Sequence, residues 1–239
     1  MIPVIISLFN QNNPLVKSIA KQLGAKRVGL CAPYLAYMRQ DKQFHTGEGI
    51  TSQYFAALLS NHFDWLITVD PHLHRYHSLS EIYSIPATAI HAALEVANWI
   101  KAHVKKPLLI GPDEESEQWV KQVAADANAA HLILQKVRHG DADVEVSRPD
   151  VEAYQTHTPI LIDDIISTAQ TMIKTTEQLK TLKMKPPICI GVHAIFAENA
   201  NQALTNAYVD KVLTCNAIPH PTNEIDLSVL IADHIKQQA

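Results

Sequence analysis

Pro159-Ile160-Leu161-Ile162-Asp163-Asp164-Ile165-Ile166-Ser167-Thr168-Ala169-Gln170-Thr171 decides how this chain is read. A short, wholly apolar run predicts a buried parallel strand, and here it ends at two adjacent carboxylates. A Ser/Thr-rich turn follows. Met172, Ile173, Thr176, Leu179 and Leu182 then recur at roughly helical spacing. Strand, loop and helix N-terminus are therefore expected in that order. In an open α/β sheet such a junction holds ligands, with a phosphate against the N–H groups that open the helix. Ser167, Thr168 and Thr171 add hydroxyl donors, and paired carboxylates suit the vicinal hydroxyls of a sugar. Asp164 and Ser167 would also serve as plain helix caps. Two consecutive acids at the end of a buried strand favour a ligand, because unpaired charge there is costly.

Outward from this stretch, strand and helix alternate almost throughout. Asn13-Pro14 predicts a helix start, Leu15, Ile19 and Leu23 share a face, and Gly24 is placed to end the helix in a left-handed turn. Arg27 to Ala32 reads as a strand, Tyr54 to Leu59 as part of a helix, and Trp65 to Val69 as a strand ending in Asp70. Residues 85–93 look irregular or extended. Strands at Leu108 to Ile110, Leu132 to Leu134, Ile188 to Val192 and Val212 to Cys215 follow, with helices through Val96, through Trp119, and from about Ser228. The alternation predicts an α/β fold with short right-handed crossovers. Two strands ending in an acid, at Asp70 and Asp163, hint at a diverged duplication.

At 239 residues the chain can bury a sizeable core as two α/β units. A formal charge of −4 without a basic face argues against a nucleic-acid binder. Cys31, Cys189 and Cys215 are too few and scattered for a disulfide framework or zinc site, which fits a reducing cytoplasm. The apolar start, Ile2 to Phe9, has no basic flank and is too short to span a bilayer, so a first strand is expected and no membrane partner.

Four further stretches carry candidate chemistry. Arg39, Gln40 and Lys42 follow Tyr34 and Tyr37, and cations beside aromatics suit an adenine ring and its phosphates. His72, just after Asp70-Pro71, stands at a strand end where an imidazole holds a metal ion or orients a phosphate. His74 and His77 read as surface or supporting residues. Asp113 follows another strand, where it would ligand Mg²⁺ or cap the next helix. Lys136 and Arg138, two apart at an extended strand end, would stabilise the charge of a transferring phosphoryl group.

Together these stretches resemble the ribose-phosphate pyrophosphokinases, the synthetases of phosphoribosyl diphosphate (PRPP). Pro33 to Lys42 is similar to that family's Pro-Tyr-x-x-Tyr-x-Arg-Gln-Asp-Lys signature, Asp70-Pro71-His72 to its Asp-Leu-His element, and Gly111-Pro112-Asp113 to its Pro-Asp turn. Lys136-Val137-Arg138 resembles its Lys-x-Arg pair, and Asp163 to Thr171 its PRPP loop, with Ala169 and Gln170 in place of the usual glycines. The motifs occur in the family's order. The family's Arg-Phe-Pro-Asp-Gly-Glu element is absent, since Gly24-Ala25-Lys26 runs almost directly into Arg27 to Cys31.

The resemblance implies two phosphoribosyltransferase-like domains, each a mainly parallel sheet flanked by helices. A shortened ATP-side domain would span 1–90 and a PRPP-loop domain 91–239, with the last helix able to pack back on the first. It also implies transfer of the diphosphoryl group of ATP to the anomeric hydroxyl of ribose 5-phosphate, giving PRPP and AMP for nucleotide biosynthesis. In that reading Arg39, Gln40, Lys42 and His72 contact ATP, His72 and Asp113 hold Mg²⁺, and Lys136 and Arg138 act on the transferring group. Asp163, Asp164, Ser167, Thr168, Ala169, Gln170 and Thr171 bind the ribose phosphate. A homo-oligomer is expected. The missing element and altered glycines leave two alternatives: a non-catalytic binding or regulatory relative, or a phosphoribosyltransferase that consumes PRPP.

Overall fold

The computed structural model describes residues 4–7, 13–111, 116–134, 136–139, 143–146 and 151–238. The chain divides into two units, Met1–His91 with Ser228–Ala239, and Ala92–Leu227.

The first unit holds four parallel strands in sequential order: β1 (Val4–Ser7), β2 (Val28–Ala32), β3 (Trp65–Val69) and β4 (Ala87–Ile90). Helix α1 (Asn13–Gln22) links the first pair and α2 (Thr51–His62) the second. Gly24 turns left-handed, at φ +92°, just after α1, where a side chain would be strained. β2 and β3 are buried along their whole length, as continuous apolar runs in a parallel sheet should be. Val28, Leu30, Ala32 and Leu66 pack with Ala20, Ala56, Leu59 and Phe63 into one core. At the amino edge of this sheet the Asp64 carboxylate accepts from Val28 N–H (2.6 Å) and Lys21 Nζ (3.0 Å). Burial pushes its pKa up, and these two donors with Lys17 outweigh that and hold it below the usual carboxylate range.

The second unit carries α3 (Ala93–His103), β5 (Pro107–Gly111), α4 (Glu117–Ala127), β6 (Ala130–Ile133), and a separate antiparallel pair, β7 (Lys136–His139) and β8 (Asp143–Val146). It continues with β9 (Thr158–Ile166), α5 (Gln170–Thr181), β10 (Ile188–Ala194), α6 (Ala200–Thr205), β11 (Lys211–Cys215) and β12 (Asn223–Ile225). Six strands form one parallel sheet in the order β12-β11-β10-β9-β5-β6. After β5 the chain winds to one side, to β6, and from β9 it winds to the other. That direction reverses between β5 and β9, the place where open sheets of this kind take ligands at their carboxyl ends. Leu108, Ile110, Leu161, Ile166, Met172 and Leu179 fill one face of the core. α7 (Ser228–Lys236) belongs to the first unit. Among the described residues no helix is long and apolar enough to cross a membrane.

Three sequence expectations change. The central strand does not stop at its carboxylates but runs through Asp163 and Asp164 to Ile166, because β10 continues the ladder, with Gly191 opposite Asp163 and His193 opposite Ile165. Part of the stretch read as irregular or extended, Ala87–Ile90, is resolved as a strand paired with β3. Lys136 and Arg138 do not extend the strand before them; they lie in the hairpin of β7 and β8, opposite Val146 and Val144.

Candidate functional site

In the second unit, β9 delivers Asp163 and Asp164, both half-buried, and then Ile165 and Ile166, both buried. Asp164 N–H donates to Asp163 Oδ1 (2.9 Å), so the pair is tied within itself. Ser167 and Thr168 turn outward, and Ala169 sits at φ 59°, ψ 4°, in the left-handed region. A residue with a Cβ costs roughly 1 kcal/mol there relative to glycine. The turn nevertheless closes. Ala169 is buried at 7% exposure against Ile166 and Met172, and its carbonyl accepts the N–H of Ile173 at 2.9 Å, the first hydrogen bond of α5. Gln170 and Thr171 are exposed in the first turn of α5, where backbone N–H groups lack helical partners.

Two hydrogen bonds from the exit of β10 fix the other side of this loop. Phe196 N–H donates to Ile166 O (2.9 Å) and Ala197 N–H to Ser167 O (3.1 Å). Phe196 (φ 41°) and Glu198 (φ 54°) are also left-handed. Beneath the loop Gly191 is required for close approach, because a Cβ there would stand 2.5 Å from Ile166 Cγ1. The His220 ring packs on Phe196, with centroids 4.6 Å apart. Phe196 and His220 were not singled out in the sequence, where nothing local marks them.

In the first unit, the segment after β2 turns at Tyr37 (φ 66°), where Gln40 N–H donates to Tyr37 O (2.9 Å). Arg39, Gln40 and Lys42 are exposed. Gln40 and Lys42 line a cavity of about 470 Å³ with Phe44, His45, Glu48, Gly49 and Thr51, and Arg39 is not among its lining residues. Tyr37 packs on Phe55 (4.9 Å between centroids), while Lys42 Nζ lies 5.1 Å from the Phe44 centroid. Phe44 was the aromatic to notice, two residues beyond Lys42.

The loop after β3 carries two left-handed residues, Asp70 (φ 35°) and His72 (φ 53°). The His72 and His74 rings pack together, 3.9 Å between centroids. Side chains tie this loop to the preceding segment. Arg75 Nε lies 3.3 Å from Asp41 Oδ1, whose side chain is only 8% exposed, and Tyr76 OH bonds Gln53 Nε2 (3.3 Å) and Ser52 Oγ (3.4 Å). Residues 70–77 are thus tied both to Asp41 and to the first turn of α2.

Asp113 lies outside the described residues, and so do the side chains of Lys136 and Arg138. The buried thiols take no part: burial pushes Cys31 up to about 11 and Cys189 up to about 12, leaving both as thiols.

Compared with known proteins, residues 78–232 match the phosphoribosyl transferase domain. A ribose-phosphate pyrophosphokinase of Methanopyrus kandleri is 28% identical over 233 residues, covering 95% of this chain and 79% of that protein. One from Methanobrevibacter smithii is 29% identical, covering 90% and 76%. The fold is similar to the crystal structure of phosphoribosylpyrophosphate synthetase from Mycobacterium smegmatis, with a TM-score of 0.80 at 22% identity over 94% of this chain and 76% of that one.

Proposed function

The chain belongs to the phosphoribosyl transferase domain family, and from that premise we propose that it is a ribose-phosphate diphosphokinase, transferring the diphosphoryl group of ATP to C1 of ribose 5-phosphate. The observation that carries the reading is the junction of β9 and α5. It combines two carboxylates, a left-handed turn and an open helix N-terminus at the reversal point of the six-stranded sheet.

Asp163 and Asp164 take the ribose hydroxyls, and Ser167, Thr168, Ala169, Gln170 and Thr171 surround the 5-phosphate with hydroxyl and amide donors. Arg39, Gln40 and Lys42 take ATP, supported by the cavity that Gln40 and Lys42 line. Lys136 and Arg138 act on the transferring group, where positioning and charge neutralisation account for most of the catalysis of phosphoryl-type transfer.

Mg²⁺ is the ion this reading requires. It keeps several waters and binds few protein groups beside phosphate oxygens, so a sparse donor set suits it. His72, half-buried in its left-handed turn, is assigned to the ion and to ATP, and Asp113 to the ion on sequence grounds. The bound ion supplies charge neutralisation of the triphosphate. The reading also carries a homo-oligomer, which sedimentation would test, and a cytoplasmic location, which cell fractionation would test.

The deciding assay is AMP release from ATP, with and without ribose 5-phosphate and Mg²⁺. Release dependent on both is expected. Tight ribose 5-phosphate binding without turnover would make the chain a binding relative instead.

A further inference from the structure

Three neighbouring parallel strands deliver residues to the carboxyl edge of the first sheet. β2 leads into Tyr34–Lys42, β3 into Asp70-Pro71-His72, and β4 ends at Ile90 with His91 next. The assignments above use the first two exits and leave the third without a role.

The register Val69↔Ile90 sets Asp70 and His91 side by side, and Asp70 N–H donates to Ile90 O at 2.9 Å. Asp70 Oδ1 lies 2.8 Å from His91 Nδ1. The two side chains sit at different depths: Asp70 is 7% exposed and His91 68%. A carboxylate buried to that extent, on a backbone at φ 35°, needs a purpose, and residues held in such regions gather at ligand sites. A carboxylate on one ring nitrogen fixes the imidazole's orientation and presents the other nitrogen to a ligand.

We propose that His91 is a further contact for the phosphate chain of the nucleotide, donating from Nε2 while Asp70 holds Nδ1. The Asp70 hydrogen bond raises the His91 pKa above its ordinary 6.5, against burial that lowers it, so the imidazolium, in which both ring nitrogens donate, persists to higher pH than in a free histidine. An anion is the matching ligand for such a ring, and a strand's carboxyl end is where one docks. The inference rests on the assignment of ATP to this unit.

Calorimetric titration of the full chain with MgATP and, separately, with adenosine tests it, without ribose 5-phosphate so that no turnover intervenes. His91→Ala is expected to weaken MgATP binding roughly tenfold, the scale of one hydrogen bond to a charged group, and to leave adenosine binding unchanged. His91→Arg, which keeps a cationic donor, is expected to recover most of the loss. His91→Gln serves in place of the alanine variant if that one does not fold. Unchanged MgATP affinity in these variants overturns the contact. Equal losses for MgATP and adenosine overturn it as well, since they mark a structural role. If the wild-type chain bound no MgATP, the nucleotide assignment would fall first and this contact with it, so the two failures are distinguishable.

Discussion

The two parallel sheets present their carboxyl edges to ligands in different ways. In the second unit the strand order reverses between β5 and β9, and the loop that follows is shaped by backbone: the left-handed Ala169, and the Phe196 and Ala197 amides on Ile166 and Ser167. In the first unit the strands run β1 to β4 without reversal, and the edge adds side-chain ties to its left-handed Tyr37, Asp70 and His72: Asp41–Arg75, Tyr76 with Ser52 and Gln53, and Asp70–His91. A backbone cradle tolerates changes of side chain provided the torsion angles survive. That is how Ala169 occupies a position where relatives of the resembled loop carry glycine. An edge held by side chains has no such latitude, and single substitutions there should be felt by the nucleotide.

Several measurements would break or sharpen this contrast. The largest effect is expected outside both edges: Lys136→Ala should lower turnover by roughly 10²–10³-fold, the scale of one lost transition-state donor. Steady-state AMP formation checks it, and unchanged turnover would remove Lys136 from the catalytic set. Next, Ala169→Val puts a β-branched side chain at positive φ and should weaken ribose 5-phosphate roughly 10- to 100-fold with ATP affinity intact. Ala169→Gly should bind at least as well as the wild type. A valine variant that bound ribose 5-phosphate normally would contradict a cradle set by torsion angles.

Arg75→Ala strips a buried carboxylate of its partner and should do the reverse, weakening ATP by about 5- to 30-fold while sparing ribose 5-phosphate. Equal losses on both ligands would end the distinction between the two edges. The smallest effect concerns pH. The His91 pKa is raised in the folded chain, so the stability from its pairing with Asp70 is complete below about 6.5. It is lost as pH rises through the higher folded value. Thermal melts from pH 6 to 9 should therefore show a slight decline in wild type, and His91→Gln should flatten it.

Much of this was legible in the sequence because strand and helix periods are local signals. Ile160 to Ile162 announced a buried strand, and Met172, Thr176 and Leu179, all buried in α5, announced the helix after it. What escaped was set by pairing across the chain. Nothing local extends β9 past two acids; its partner β10 does that. Ala87-Thr88-Ala89-Ile90 is short and mixes strand formers with alanines, so its sequence left strand and irregular structure open until β3 paired with it, and His91 was not recognised as standing at a strand end. The Asp41–Arg75 contact joins two loops that neither sequence stretch could reveal alone. The Lys42–Phe44 and Tyr37–Phe55 contacts likewise follow from how the segment after β2 folds, which its sequence alone did not announce.

β5 and β9 lie side by side although β6, β7 and β8 intervene in the chain. The stretch that carries Lys136 and Arg138 is therefore an excursion, a hairpin that leaves the six-stranded sheet and contributes no strand to it. Closing a longer or shorter excursion changes the chain entropy only logarithmically. The length of this arm can thus change around Lys136 and Arg138 while the ladder behind it goes on folding as before, and insertions and deletions among homologues should collect there.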